Sequence, residues 1–385
     1  MNVKHICLSI LLINSTLLLT GCWDHDELPA YGFVQAVAID LSEEEEGVID
    51  LTTQFIKPSP KIGSAGGGDG EAYVNIETSG DSIFEAVRDI TTHLGRKAQW
   101  SHTRIILISD EIVQSRNIGE ILEFFYRDHE PRLLITLGMT EGKAKDYLNQ
   151  EPFIENTISQ QLKEIEAASH NFTSKTMEVN LLTFGRELKS ETQTAKIPYY
   201  HIKESGEAVI GGLAIINKGK FSGQISSLQT EALLTILGEY RFGIIEVPCG
   251  GEDVMVKESI EVSNVETDMK ANLSGGSVSA KVKVEMEGDV GELKCTVLDK
   301  SENLQEFNEK VAKVVKTNIE ETLQYLQKEQ VDVIGLGNAI YRKHPKEWKE
   351  LKKDWPNTFS EVPFTVDVKV DINNTGSDIG KPFFE

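Results

Sequence analysis

The stretch LQEFNEKVAKVVKTNIEETLQYL, residues 304–326, decides how the second half of the chain is built. Leu304, Phe307, Val311, Val314, Val315, Ile319, Leu323 and Leu326 recur at steps of three and four residues, the period that aligns one face of an α-helix. A helix of about 25 residues runs ~38 Å and carries an apolar stripe that must be buried against something. Further on, Val362, Phe364, Val366, Val368, Val370 and Ile372 alternate strictly with other residues, the period of a strand with one wet face. Its dry face is the expected partner of the helix. Ser277–Met286 alternates in the same way through Val278, Ala280, Val282 and Val284 and predicts a half-exposed antiparallel strand. The C-terminal half therefore reads as an antiparallel sheet packed on a long helix.

Working toward the N-terminus, Val209–Ile216 and Phe221 predict a hairpin through Asn217-Lys218-Gly219, and strand-like composition begins near Glu207. Upstream, Phe33–Asp40 and Val48–Phe55 read as strands joined through the acidic turn Glu43–Glu46 and Gly47. The segment 58–70 is a glycine-rich loop, and 81–97 is a helix with Asp81 as N-cap. Arg104–Ser109 and Leu133–Thr140 read as buried strands separated by a helix carrying Ile118, Ile121, Leu122 and Phe125. Two more helical patterns, Ile154 to Ile165 and Val179 to Leu188, close at Pro198. Helix, strand, helix, strand implies a layered α/β unit. The 385 residues predict two or three domains. The expected fold class is α+β, mixed and multidomain: a signal segment 1–21, an N-terminal α/β region 22–200 with a break near 150, a C-terminal α+β domain 207–376, and a tail 377–385.

The first residues carry one Lys and about fourteen mostly apolar residues, shorter than the ~20 of a spanning helix, and read as a signal-peptide core. The core ends in Leu19-Thr20-Gly21-Cys22, which resembles a bacterial lipobox. Cys22 is then the lipidation site, and a diacylglyceryl group anchors the mature chain to a membrane. Removing residues 1–21, whose only Lys or Arg is Lys4, takes the formal charge from −22 to −23. Such a body repels phosphate backbones and anionic headgroups, which excludes nucleic acid as a partner and leaves attachment to the lipid. Four cysteines are too few for a disulfide scaffold or a CxxC-type zinc site. Cys249 and Cys295 remain as free thiols in a compartment that permits disulfides; sequence gives no Cα separation, so their pairing stays open.

Among known catalytic motifs the chain has no His-Glu-x-x-His, Gly-x-Ser-x-Gly or Walker loop, and no cofactor or metal ion is expected. Val331–Ile340 mimics a strand entering Gly-x-Gly-x-x-Gly, but Ile340 stands where the third glycine belongs. The better reading is a helix C-terminal cap with Gly335 and Gly337 at positive φ. The densest functional-looking polarity is Arg96-Lys97 with Trp100-Ser101-His102, together with Arg127, Asp128, His129, Glu130 and Arg132. One reading pairs His102 with Asp128 or Glu130 as an acid/base couple. The plainer one is an ion-pair corner over Trp100, either structural or a surface for docking a partner; it fits better because no nucleophile or metal set accompanies the pair.

These residues resemble the Ger(x)C family of spore-germination lipoproteins, the C subunits of nutrient germinant receptors. The resemblance runs through Gly21-Cys22-Trp23-Asp24 with Glu27, Ala38-Ile39-Asp40, Leu51–Gln54, Ile83–Asp89 and Gly95-Arg96-Lys97. It continues in Trp100-Ser101-His102, Phe124-Phe125 with Arg127-Asp128, Glu130 and Arg132, then Gly212-Leu213-Ala214, Asp332–Gly337, Pro345, Trp348, Trp355 and Phe359. His25-Asp26, Ala98-Gln99 and the two late cysteines depart from the pattern. The resemblance implies three mixed α/β domains and a non-enzymatic subunit on the outer face of the inner spore membrane. It also implies integral membrane subunits of the receptor as partners, and a role in assembly and signal relay. The alternative is a lipid-tethered solute-binding or hydrolytic lipoprotein.

Overall fold

The computed structural model describes residues 4–5, 28–57, 72–249, 256–274, 276–376 and 380–382. The signal core, Cys22 and the loop 58–70 lie outside the described residues. Strands β1 (Tyr31–Leu41), β2 (Ile49–Ile56) and β3 (Tyr73–Gly80) form an antiparallel meander. Helix α1 (Ile83–Leu94) follows, and then β4 (Lys97–Gln99) and β5 (Ile105–Ser109), both parallel to β1. Strand β6 (Thr136–Thr140) lies parallel to β5. Helices α2 (Ile158–Thr173) and α3 (Leu181–Leu188) lead to β7 (Thr194–Ile202), β8 (Ala208–Asn217) and β9 (Lys220–Ile225). One sheet results, ordered β3-β2-β1-β5-β6-β7-β8-β9, with β4 against the start of β1.

Strand β1 is buried on both faces because helices cover both. Val34, Val37 and Ile39 join the core beneath α1, the 110–127 helices and α3, whereas Ala36 and Ala38 face α2 and the short helix Ala144–Leu148. Capping at α1 falls on Ser82, not Asp81: the Ser82 hydroxyl accepts from Glu85 N, and the Glu85 carboxylate in turn accepts from Asp81 N at 2.9 Å. Where the helical pattern was expected to close at Pro198, the chain instead runs as β7. Pro198 is tolerated there because β6 pairs only with Tyr199 and Tyr200, and the ladder to β8 shifts register between Pro198 and Tyr200. Strands β8 and β9 complete this first sheet, although their composition had grouped them with the later strands. Their turn, with Lys218 at φ 52° and Gly219 at φ 81°, is the expected hairpin.

Gly212 in β8 sits at φ +84°, and a Cβ there would lie 2.2 Å from the carbonyl oxygen of Ile225. Both strand pairing and backbone sign exclude a side chain. Gly212→Ala is expected to lower the unfolding free energy by about 2–3 kcal/mol, read from denaturant titration; a change below about 0.5 kcal/mol would show that β9 yields freely.

The second sheet follows helix α4 (Ser227–Leu237) and is ordered β10 (Gly243–Pro248), β11 (Lys257–Ser274), β12 (Ser277–Glu292), β13 (Phe364–Asn374). Between β12 and β13 come α5 (Ser301–Lys328) and α6 (Leu336–Lys343). The expected cover is present: Phe307, Val311, Val315, Ile319, Leu323 and Leu326 of α5 are buried in one core with Val282, Val284, Met286, Val366 and Val370. The sheet is not wholly antiparallel, however. Strand β13 runs parallel to β12, from Ala280 opposite Phe364 to Gly288 opposite Ile372, because the long helix carries the chain back to the end from which β12 began.

Candidate functional site

The polar corner forms where α1 turns into β4 and where the helix Glu123–Arg127 leads toward β6. Trp100 is 3% exposed and meets Phe124 and Phe125 edge-on at 5.5 and 5.9 Å. Above it, the Glu130 carboxylate accepts a long hydrogen bond from Trp100 N at 3.5 Å and pairs with Lys97 at 3.2 Å. Asp128 accepts from Glu130 N at 2.8 Å, which fixes the turn, and Arg127 binds Glu123 one turn back. The His102 ring packs edge-on to Phe33 at 5.3 Å. Among the described residues no hydrogen bond or ion pair joins His102 to Asp128 or Glu130. The acid/base couple is therefore not assembled: the residues brought together are Lys97, Trp100, Asp128 and Glu130, while His102, Arg127 and Arg132 are exposed.

The motif at 331–340 has a different task from either of those expected. Asp332 is buried and accepts from Leu336 N at 2.9 Å, Gly337 N at 2.7 Å and Trp355 Nε1 at 3.0 Å, so it caps the start of α6. Burial pushes its carboxyl above the ordinary value, opposed by these donors. Gly335 takes φ +72°, but Gly337 is an ordinary helical residue, and the segment begins a helix where a helix end was expected. Gly337 is glycine because a Cβ would stand 2.5 Å from the ring of Trp348 and 2.8 Å from Thr192. Trp348 donates to Glu191 at 2.9 Å and Lys352 pairs with the same oxygen at 2.8 Å, and together they hold that carboxyl below its usual range, Lys352 more strongly. Asn338 accepts from Glu191 N at 3.0 Å and donates to Thr192 Oγ1 at 3.1 Å. This set clamps the turn before β7 to the helices after α5. In the first sheet Asp40 plays a similar part, accepting from Ala144 N at 2.7 Å and Lys145 N at 3.0 Å.

A third polar centre escaped the sequence reading. Glu258, fully buried in β11, accepts from the amides of Lys294, Cys295 and Thr296 at 3.1, 3.0 and 2.7 Å and from the Thr296 hydroxyl at 2.7 Å. Beside it Cys249 and Cys295 form a disulfide, with Cα atoms 5.9 Å apart. These three residues are the one metal-competent group among the described residues. The sulfurs are bonded to each other and both Glu258 oxygens are occupied, so the group offers an ion no open ligand.

Comparison with known proteins bears on the whole chain. Two family models match, one described as spore germination protein N-terminal domain over residues 24–202, the other as spore germination B3/GerAC like, C-terminal, over 211–376. Among curated relatives of Bacillus subtilis (strain 168), spore germination protein KC is 24% identical, with 97% of each chain covered. Spore germination protein B3 is 24% identical over 95% of this chain and 96% of its own. Spore germination protein A3 is 26% identical over 96% and 97%. The crystal structure of the GerBC protein shares the fold at a TM-score of 0.56 and 21% identity, covering 88% of this chain and 97% of that one.

Proposed function

Because the chain belongs to the Ger(x)C family of spore germination proteins, we propose that it is the lipid-anchored subunit of a nutrient germinant receptor. On this reading a diacylglyceryl group on Cys22 holds it at the inner membrane of the spore, on the extracytoplasmic face, and it acts there in receptor assembly and signal relay without catalysis. The observation that carries the reading is the match of both family models, in order, across 24–202 and 211–376. Two structural features support it. No helix among the described residues is long and apolar enough to cross a membrane, which is consistent with a tethered body. The polar corner's half-buried Glu130 carboxylate is tied to Lys97 and Trp100, which leaves Arg127, Arg132 and His102 as an exposed basic rim suited to contact with a partner. A body tethered at one end meets membrane-bound partners at high effective concentration, so modest contacts suffice.

Affinity capture of the tagged chain from detergent-solubilised spore membranes is expected to bring down two integral membrane proteins in fixed ratio. Recovery of the chain alone, after crosslinking as well, would sink the receptor reading. Arg127→Glu is expected to reduce that recovery several-fold while changing thermal unfolding only slightly, since the Arg127–Glu123 pair it breaks is largely exposed.

A further inference from the structure

A cavity of about 750 Å³ opens where the end of α2, the first turns of α4, strand β10 and the middle of α5 meet. That volume lies within the ~300–1,000 Å³ of small-molecule sites. Its walls are apolar in an unusual way: Phe172, Leu228 and Ile244 stand 72%, 52% and 59% exposed along it. Three large hydrocarbon side chains left wet in one concavity mark a surface that something else covers.

The charges say what kind of molecule does so. Lys175 and Lys313 line the cavity, and neither has an ion pair among the described residues, whereas Lys257 beside them is tied to Glu246 at 2.6 Å. On a chain of net charge −22, two ammonium groups held in no ion pair and set beside an apolar wall select one negative charge attached to hydrocarbon. From α4 the Glu231 carboxyl faces the same space. Burial pushes it up to about 7; Lys175 works against the rise and Glu246 adds to it. The other groups around it are Lys257 on β11, Lys313 on α5 and Tyr240 after α4, whose phenol is itself raised by burial and by Glu231; among the described residues no histidine lines the cavity.

We propose that this cavity binds a small carboxylate with an apolar body, its charge on Lys175 and Lys313 and its hydrocarbon on Phe172, Leu228 and Ile244. Glu231 then governs access. With its proton on, it donates a hydrogen bond to the bound carboxylate; ionised, it repels it. Affinity therefore falls as pH rises through the neutral range. The inference stands apart from the receptor reading, since neither the anchor nor the family match enters it.

Isothermal calorimetry of the intact protein with 3-phenylpropanoate, and with its neutral amide, tests the proposal. One-to-one saturable binding with Kd below about 1 mM is expected for the carboxylate at about pH 6, with the amide about tenfold weaker or worse. Lys175→Gln and Lys313→Gln should each weaken the carboxylate about tenfold without changing thermal unfolding, and Lys369→Gln, far away on β13, should not. Glu231→Gln should bind equally at about pH 6 and pH 8, where the unmodified chain loses affinity. Absence of saturable heat, equal binding of acid and amide, or indifference to both lysine variants together would overturn the site. A pH dependence that survives in Glu231→Gln would overturn the role given to that carboxyl.

Discussion

Glu258→Ala is expected to lower the unfolding free energy by about 3–5 kcal/mol, the largest stability loss of any single substitution considered for this chain. The glutamate is fully buried and gathers three consecutive amides and a hydroxyl from Lys294 to Thr296. Alanine leaves four donors without an acceptor and opens a void beside the Cys249–Cys295 disulfide. Denaturant unfolding under oxidising conditions reads the loss; a change under about 1 kcal/mol would mean that water replaces the carboxylate or that the disulfide alone holds the segment. The pH profile supplies an independent check. Burial pushes the Glu258 carboxyl up, but the Thr296 hydroxyl and the three amides outweigh it and hold the group below its usual value. A carboxyl with a lower pKa folded than unfolded stabilises the fold above its unfolded value and gives up that stability as pH falls through the folded one. Stability should therefore drop more steeply on the acid side in the unmodified chain than in Glu258→Gln. Glu166 works in the opposite sense. Burial raises it well above the ordinary carboxyl value despite donors at Val179 and Tyr200, so its contribution is full in acid and fades as pH rises.

Cys22→Ala is expected to abolish incorporation of labelled palmitate and to shift the protein from the membrane pellet to the soluble fraction. The proposed anchor is a thioether on that sulfur, and alanine has no atom to carry it. Two acyl chains at ~0.8 kcal/mol per methylene give an anchor that a single chain does not. Little else in the chain can replace them: its formal charge is −22, and no described helix is long and apolar enough to span. Because an uncleaved apolar leader could itself hold the variant at the membrane, the label is the decisive readout and fractionation the supporting one. Cys7→Ala, upstream of the proposed cleavage point, should keep the label. Retention of label in Cys22→Ala would remove the lipid from the account.

The elements legible in the sequence are those whose periodicity is forced by a single buried face. The stripe from Leu304 to Leu326 and the alternation from Val362 to Ile372 gave α5, β13 and their contact. Alternation carries no strand direction, but the helix between β12 and β13 does, since two strands of one sheet joined through a long helix run parallel. That signal was present and unread. Strand β7 was hidden by Pro198, and β11 by its mixture of charges, although Val265, Met269, Ala271 and Leu273 keep the period of two and are partly buried. In the polar corner the residue types were visible, but not their partners. The contact of His102 with Phe33 and the pairing of Glu130 with Lys97 join segments that no local spacing connects. Glu258 gave no signal at all, because a glutamate among charged neighbours reads as surface until the fold brings three amides to it.

The parallel pairing of β12 with β13 has a consequence for how the chain is made. Synthesis runs from the N-terminus, so β12 is complete long before Phe364–Asn374 exists to lie beside it. Until then one edge of β12 has no neighbour and the apolar stripe of α5 lacks part of its cover, the condition under which nascent chains associate with one another. Pairing across so long an interval also closes a large loop, which slows this step relative to the hairpins of the first sheet. The last strand to be translated thus completes the second sheet, and a ribosome product cut short before it carries both an open edge and an uncovered helix.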